Sequence, residues 1–179
     1  MDAIVVYESV YGNTREVAEA IADGVGAVAV VPVHEAQQRR DTVDLLIVGG
    51  PTHMHGLATK RSRHVAVDTA TEDGRSHLQA GALSEPGLRA WLHDLTPLAA
   101  HHAAAFDTRL DKPPWISGAA GHGIAQRLRR LGIDVIATES FLVEDMEGPL
   151  EAGELERARA WGTELARSLS ASRKDLVQT

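Results

Sequence analysis

Residues 9–14 have the sequence Ser-Val-Tyr-Gly-Asn-Thr and concentrate hydroxyl and amide donors in one short segment. These side chains can donate hydrogen bonds to an anion. Gly12 permits backbone conformations closed to other residues and keeps a side chain out of the ligand's way. No Lys or Arg lies between Glu8 and Thr14. The segment therefore predicts a phosphate site that uses neutral donors instead of a countercharge.

A strand and a helix must hold this segment in position. Residues 3–7 form a continuous apolar run, which is typical of a strand buried on both faces, and a helical pattern follows from residue 15. The first N–H groups of a helix lack internal partners and carry a partial positive charge, so a phosphate is stabilised there. Asn13, with Glu16 three residues later, is the expected N-cap of this helix.

The segment 9–14, the strand before it and its place in the chain closely resemble the phosphate-binding loop of flavodoxins and flavodoxin-like domains. In that family the loop binds the terminal phosphate of FMN, so the resemblance implies FMN as the cofactor. Tyr11 departs from the family pattern, in which many members have Thr. The alternative is a hydrogen-bonded strand-to-helix turn without a ligand. The residues to which the resemblance gives the phosphate-binding role are Ser9, Val10, Tyr11, Gly12, Asn13 and Thr14.

Apolar runs alternate with helical patterns along the rest of the chain. Strands alternating with helices predict a parallel sheet with right-handed crossovers. The resemblance implies an α/β fold of three layers, in which a doubly wound five-stranded parallel sheet has the order 2-1-3-4-5. We expect a flavodoxin-like domain over residues 1–169 and a polar C-terminal tail over 170–179. The predicted strands lie within residues 3–7, 25–33, 44–50, 102–109 and 133–143, and the later helices within 86–95, up to 131, and 155–169.

The segment that follows the third strand is the first of two expected to flank a flavin ring. In flavodoxins the equivalent loop packs on one face of the ring, and many members stack an aromatic there. This segment contains neither Trp nor Tyr, so an imidazole or a thioether would take that place. As an alternative, His53 and His55 on an extended segment point the same way and could share a metal. The resemblance assigns ring contacts to Pro51, Thr52, His53, Met54, His55 and Gly56.

Residues 108–123 follow the fourth strand and correspond to the second flavin-flanking loop of the family. We name Thr108, Arg109 and Trp115 as candidates for contacts with the ring. The indole of Trp115 either stacks on the flavin or packs beneath the following helix, and the sequence leaves both open.

A basic cluster at residues 59–63 lies within a long segment between the third strand and the next helix. Long loops of this kind are often functional. Its charges would stabilise an anionic reduced flavin, bind a phosphorylated nicotinamide cofactor or an acidic partner, or simply be solvated.

The composition of the chain excludes several further classes of protein and of binding site. A chain of 179 residues fits one domain with a sizeable core, and zero cysteines exclude disulfides and thiolate metal sites. The formal net charge of −7 argues against a general nucleic-acid binder. No apolar run approaches a membrane span, and the first residues are already strand, so we expect a cytoplasmic protein.

Three functions are compatible with these patterns. The first is an FMN-binding electron carrier that exchanges electrons with a reductase and an acceptor and needs no side chain as an acid or base. The second is an NAD(P)H- or quinone-dependent FMN oxidoreductase of the same fold. The third is a module that keeps the fold without flavin and serves in interaction or regulation.

Overall fold

The computed structural model contains five parallel strands and, among the residues that it describes, four helices. A short strand, Gly56–Leu57, pairs antiparallel to the end of the third strand. The strands are β1 (Ala3–Tyr7), β2 (Ala29–Pro32), β3 (Val43–His53), β4 (Ala100–Leu110) and β5 (Asp134–Val143). The helices are α1 (Asn13–Val25), α2 (Leu88–Asp94), α3 (Ala120–Arg130) and α4 (Glu154–Val177). The described residues are 1–36, 43–53, 56–57, 64, 78–79, 81–95, 100–112 and 118–177, without the side chains of 53, 56 and 172–177.

The parallel strands lie in the order β2-β1-β3-β4-β5, which confirms the predicted order 2-1-3-4-5. Tyr7 at the end of β1 is in register with Gly49, and Gly50 is in register with Asp107 on β4. The chain runs from β1 to β2 on one side and continues to β3 on the other, so the order reverses at β1. Ligands of doubly wound sheets bind beyond the strand ends at such a point.

Helices cover both faces of the sheet. One layer consists of α1 and α4, which pack on β1 residues such as Val5 and on Phe106 of β4. The other layer consists of α2 and α3, which pack on alternate residues of the same strands, such as Val6 and Ala105. The central strands are therefore apolar on both sides, as their uninterrupted apolar runs predicted.

Three element boundaries differ from the sequence prediction. Gly26, with a φ of 70°, ends α1 by a bond from its N–H to the Ala22 carbonyl, and β2 starts only at Ala29. β3 continues to His53 because its last two residues pair with the short strand. α4 continues beyond the predicted domain end at residue 169 to Val177. Residues 170–177 contain neither Gly nor Pro, so their sequence does not interrupt the helix.

Two glycines bring α1 and α4 together backbone to backbone. A methyl group placed on Gly24 would overlap the Arg159 carbonyl, and one placed on Gly162 would overlap the Ile21 carbonyl. The hydroxyl of Thr163 also donates to the Gly24 carbonyl, at 3.2 Å. This close approach holds α4 against α1 and so fixes the position of α1. The first residues of α1 directly follow the loop formed by residues 8–12.

We expect Gly162→Ala to lower the free energy of unfolding by about 2 kcal/mol because the new methyl forces the two helices apart. Helix propensity alone would give the opposite sign, since Ala favours a helix by about 1 kcal/mol over Gly. Urea denaturation measures the difference. The exposed Ala160→Gly on the same helix is the control and should cost only about 1 kcal/mol. An unchanged or increased stability of Gly162→Ala would contradict the prediction.

Candidate phosphate and cofactor site

The loop between β1 and α1 is closed by its own backbone. Gly12 has a φ of 103°, a conformation that side chains other than glycine rarely adopt, and it is the N-cap of α1. Its N–H donates to the hydroxyl of Ser9 at 3.1 Å, and its carbonyl accepts from the N–H of Glu16 at 3.0 Å. Ser9 is buried with this turn. Gly12 is thus required by the turn itself.

The prediction that Asn13 caps α1 is wrong. Asn13 is the first helical residue, and its side-chain amide donates to the carbonyl of Glu147 at 3.1 Å. Gly148 lies directly against the same side chain, where a Cβ would clash. No side chain of the described residues caps the helix at Gly12, so the first N–H groups of α1 have no side-chain acceptor there. A ligand anion fits this end of the helix.

Tyr11 and Val10 have different roles in the loop. Burial raises the pKa of the Tyr11 hydroxyl, and the nearby Glu147 carboxylate raises it further, so Tyr11 is a neutral donor at physiological pH. Val10 is only 2% exposed and anchors the loop in the core. Its carbonyl accepts from the N–H of Gln79 at 2.8 Å. Gln79 is therefore held against the phosphate loop by its backbone.

Thr14 connects the loop to the end of β4. Its Oγ1 lies 2.7 Å from Oγ1 of Thr108, and both side chains are buried. We predicted a ring contact for Thr108, and the structure places its hydroxyl beside the phosphate loop. The two predicted segments thus meet at this pair of hydroxyls.

Asp107 is a site residue that the sequence did not indicate. Its carboxylate is fully buried, and Oδ2 accepts hydrogen bonds of 2.9 Å from the Thr52 hydroxyl and from the Gly121 N–H. The same Thr52 hydroxyl accepts from the N–H of Ala120 at 2.9 Å. Asp107 and Thr52 therefore cap the start of α3, where the helix dipole favours negative charge. The only sequence signal was an acid at the end of an apolar strand.

Arg109 lines a cavity of about 480 Å³ at the carboxyl ends of β4 and β5. Its guanidinium donates to the carbonyls of Leu110 and Lys112, at 3.2 and 2.7 Å. Glu154 also lines the cavity and accepts from the Leu142 N–H at 2.7 Å, which covers the free edge of β5. Burial acts to raise the pKa of Glu154, but bonds from its neighbours, Arg157 first, hold that pKa below its ordinary value.

A second cavity, of about 340 Å³, lies on the β2 side of the phosphate loop. Its walls include Ser9 and Arg15 from the region of α1, and His34 and Glu35 from the residues after β2. It is lined largely by polar side chains and borders the loop at Glu8 and Ser9.

Several predicted site residues lie wholly or partly outside the described residues. Met54, His55 and Trp115 are among them, as is the basic cluster at 59–63. His53 is described only in its backbone, which pairs with Gly56 in the short hairpin. Pro51 is half-buried and lies in register with Thr108. Within the described part of the chain, no three His, Asp or Glu residues are grouped to hold a metal.

A doubly wound sheet in the order β2-β1-β3-β4-β5, with a glycine-capped loop at the point where the order reverses, is the flavodoxin-like fold. Residues 4–69 match the family model described as a flavodoxin domain, so the resemblance found in the sequence is confirmed. No curated protein matches the sequence. None of the described helices is both long and apolar enough to cross a membrane.

Solved structures of flavodoxins share the fold over nearly the whole chain. A flavodoxin from the domain Archaea is 18% identical, with a TM-score of 0.56, and the match covers 95% of this chain and 99% of that one. Megasphaera elsdenii flavodoxin is 21% identical, with a TM-score of 0.55 and coverage of 90% and 98%. Flavodoxin 2 from Bacillus cereus is 15% identical, with a TM-score of 0.53 and coverage of 96% and 99%. At these identities the likeness establishes the architecture.

Proposed function

We propose that this protein binds FMN and acts as an electron carrier between redox partner proteins in the cytoplasm. The observation that carries the proposal is the start of α1, where the helix begins on Gly12 without a side-chain cap. A phosphate is the natural acceptor for N–H groups at such an end. The family match over residues 4–69 covers this loop. Two of the similar flavodoxins are described as oxidised and as two-electron reduced, which supports a redox role.

The residues of the loop fit a phosphate monoester by their chemistry. Tyr11 is a neutral donor, and Ser9 and Thr14 add hydroxyls beside the free N–H groups. The segments after β3 and β4, held together by Asp107 and Thr52, would flank the ring. FMN supplies the electron chemistry when bound, while the protein holds its phosphate, orients the ring and restricts water around it.

The test is a titration of the purified protein with FMN and with riboflavin, which lacks the phosphate. We expect quenched flavin fluorescence, a shifted absorption spectrum, and a dissociation constant for FMN at least about tenfold lower than that for riboflavin, since charge-assisted bonds to phosphate add roughly 1.5 to 3 kcal/mol. Equal affinities would contradict phosphate recognition. A protein that leaves the FMN spectrum and fluorescence unchanged would favour the flavin-free module.

An FMN oxidoreductase is the second candidate, and the cavity at Arg109 favours it. The cavity has the volume of a small-molecule site and lies at the carboxyl ends of two strands, beside the segment expected to flank the ring. FMN-loaded protein should oxidise NAD(P)H and reduce a quinone without a reductase if this candidate is correct. A carrier should remain inactive with these two substrates and become reducible only when a reductase is added.

A further inference from the structure

The buried hydroxyls of Thr14 and Thr108 carry one hydrogen more than their surroundings accept. Each hydroxyl has one hydrogen, and a single contact of 2.7 Å joins their two oxygens. One hydrogen is used in that contact. The described residues offer no second partner to either hydroxyl. Thr14 is 2% and Thr108 is 6% exposed, so the remaining hydrogen is largely shielded from solvent.

No helical carbonyl is available to this hydrogen. Thr14 is the second residue of α1, so the carbonyl four residues earlier, that of Val10, lies before the N-cap and outside the helix. The Val10 carbonyl accepts from the N–H of Gln79 at 2.8 Å, and among the described residues it makes no hydrogen bond with either hydroxyl. A buried donor without an acceptor is unfavourable, which indicates that an acceptor belongs here. The start of α1, where we propose the FMN phosphate, is adjacent to Thr14.

We infer that Thr108 is a positioning residue for phosphate recognition. Thr108 donates its hydrogen to Oγ1 of Thr14, and this fixes the Thr14 hydroxyl so that its own hydrogen is directed to the phosphate. Thr108 lies on β4, almost a hundred residues away in sequence from the loop that it orders. The inference rests on the proposed function, because the acceptor is the phosphate of FMN. It also changes the role of Thr108 from a ring contact to a residue that acts at the opposite end of the cofactor.

The experiment compares Thr108→Val, which keeps the shape and removes the hydroxyl, with Thr108→Ser, which keeps the hydroxyl. Affinities for FMN and for riboflavin are measured by fluorescence quenching. We expect Thr108→Val to weaken FMN binding about fivefold, the effect of one neutral hydrogen bond. Riboflavin binding should stay within about twofold, and Thr108→Ser should match the wild type with both flavins. An equal loss for both flavins, or no loss for FMN, would overturn the inference.

A double-mutant cycle with Thr14→Val separates action through Thr14 from direct contact with the ligand. If Thr108 acts through Thr14, the Val substitution at 108 should change FMN affinity by less than about twofold once Thr14 is Val. Additive losses would show that Thr108 binds the ligand directly and would overturn the assignment. A wild-type protein that binds no FMN would overturn the proposed function and the inference together, whereas the preceding failures leave FMN binding intact.

Discussion

Gly12→Asp is expected to weaken FMN binding by at least about 100-fold. The substitution places a carboxylate at the N-cap of α1, within a few ångströms of the proposed phosphate. A charge of −1 about 5 Å from a dianion costs roughly 6 kcal/mol at an effective dielectric constant of about 20, which exceeds the about 2.7 kcal/mol that a 100-fold loss requires. The carboxylate would also accept the free N–H groups of α1 and so compete with the phosphate for them. Fluorescence titration with FMN measures the loss.

Backbone strain needs a separate control because Gly12 has a φ of 103°. Gly12→Asn has nearly the same shape as Gly12→Asp and tolerates this conformation about equally well, but it carries no charge. We expect it to stay within about tenfold of the wild type. Gly26→Asp places the same charge at another positive-φ glycine, at the far end of α1, where an added Cβ would meet no described atom beyond its chain neighbours within 4 Å. If the two substitutions at Gly12 weaken binding equally, charge at the loop is not the cause.

The fold was predictable because its main signals are local. Residues 3–7 and 45–50 have no charged or hydrogen-bonding side chain except the Tyr7 hydroxyl, a pattern that is typical of strands buried on both faces. The order of the strands came from the resemblance at the phosphate loop, and the structure confirms it. Boundaries were less predictable because they depend on partners distant in sequence. β3 runs to His53 because of its pairing with Gly56–Leu57, and no pattern within residues 51–53 specifies that pairing.

The position of the phosphate loop followed from residues 9–14, but its contacts did not. Asn13 and Glu16 have the local pattern of a capped helix, yet the Asn13 side chain binds the Glu147 carbonyl on the link to α4. Thr108 on β4 contacts Thr14 at the start of α1, and this contact depends on the register of strands β1, β3 and β4. Local propensity describes one segment at a time. Hydrogen bonds between segments need the assembled sheet.

The contacts of Asp107 likewise could not be predicted from its own segment, and its substitution has the second large effect that we expect. We expect Asp107→Ala to lower the free energy of unfolding by about 3 kcal/mol, because it leaves the Gly121 N–H and the Thr52 hydroxyl without their buried acceptor. The opposing contribution is the desolvation of the buried carboxylate in the wild type, because its Oδ1 has no hydrogen-bond partner in the described part of the chain. We expect the helix dipole and the two bonds of 2.9 Å to Oδ2 to outweigh that cost. Urea denaturation provides the measurement.

Asp107→Asn decides between these two contributions. Its amide oxygen can still accept from the Gly121 N–H, so we expect a loss of about half that of Asp107→Ala. If Asp107→Asn were instead more stable than the wild type, the desolvation of the charge would be the larger contribution.

Asp107 and Thr108 are consecutive but face opposite layers of the sheet. Asp107→Ala should therefore lower stability and keep the preference of the folded protein for FMN over riboflavin, while Thr108→Val should reduce that preference with little loss of stability.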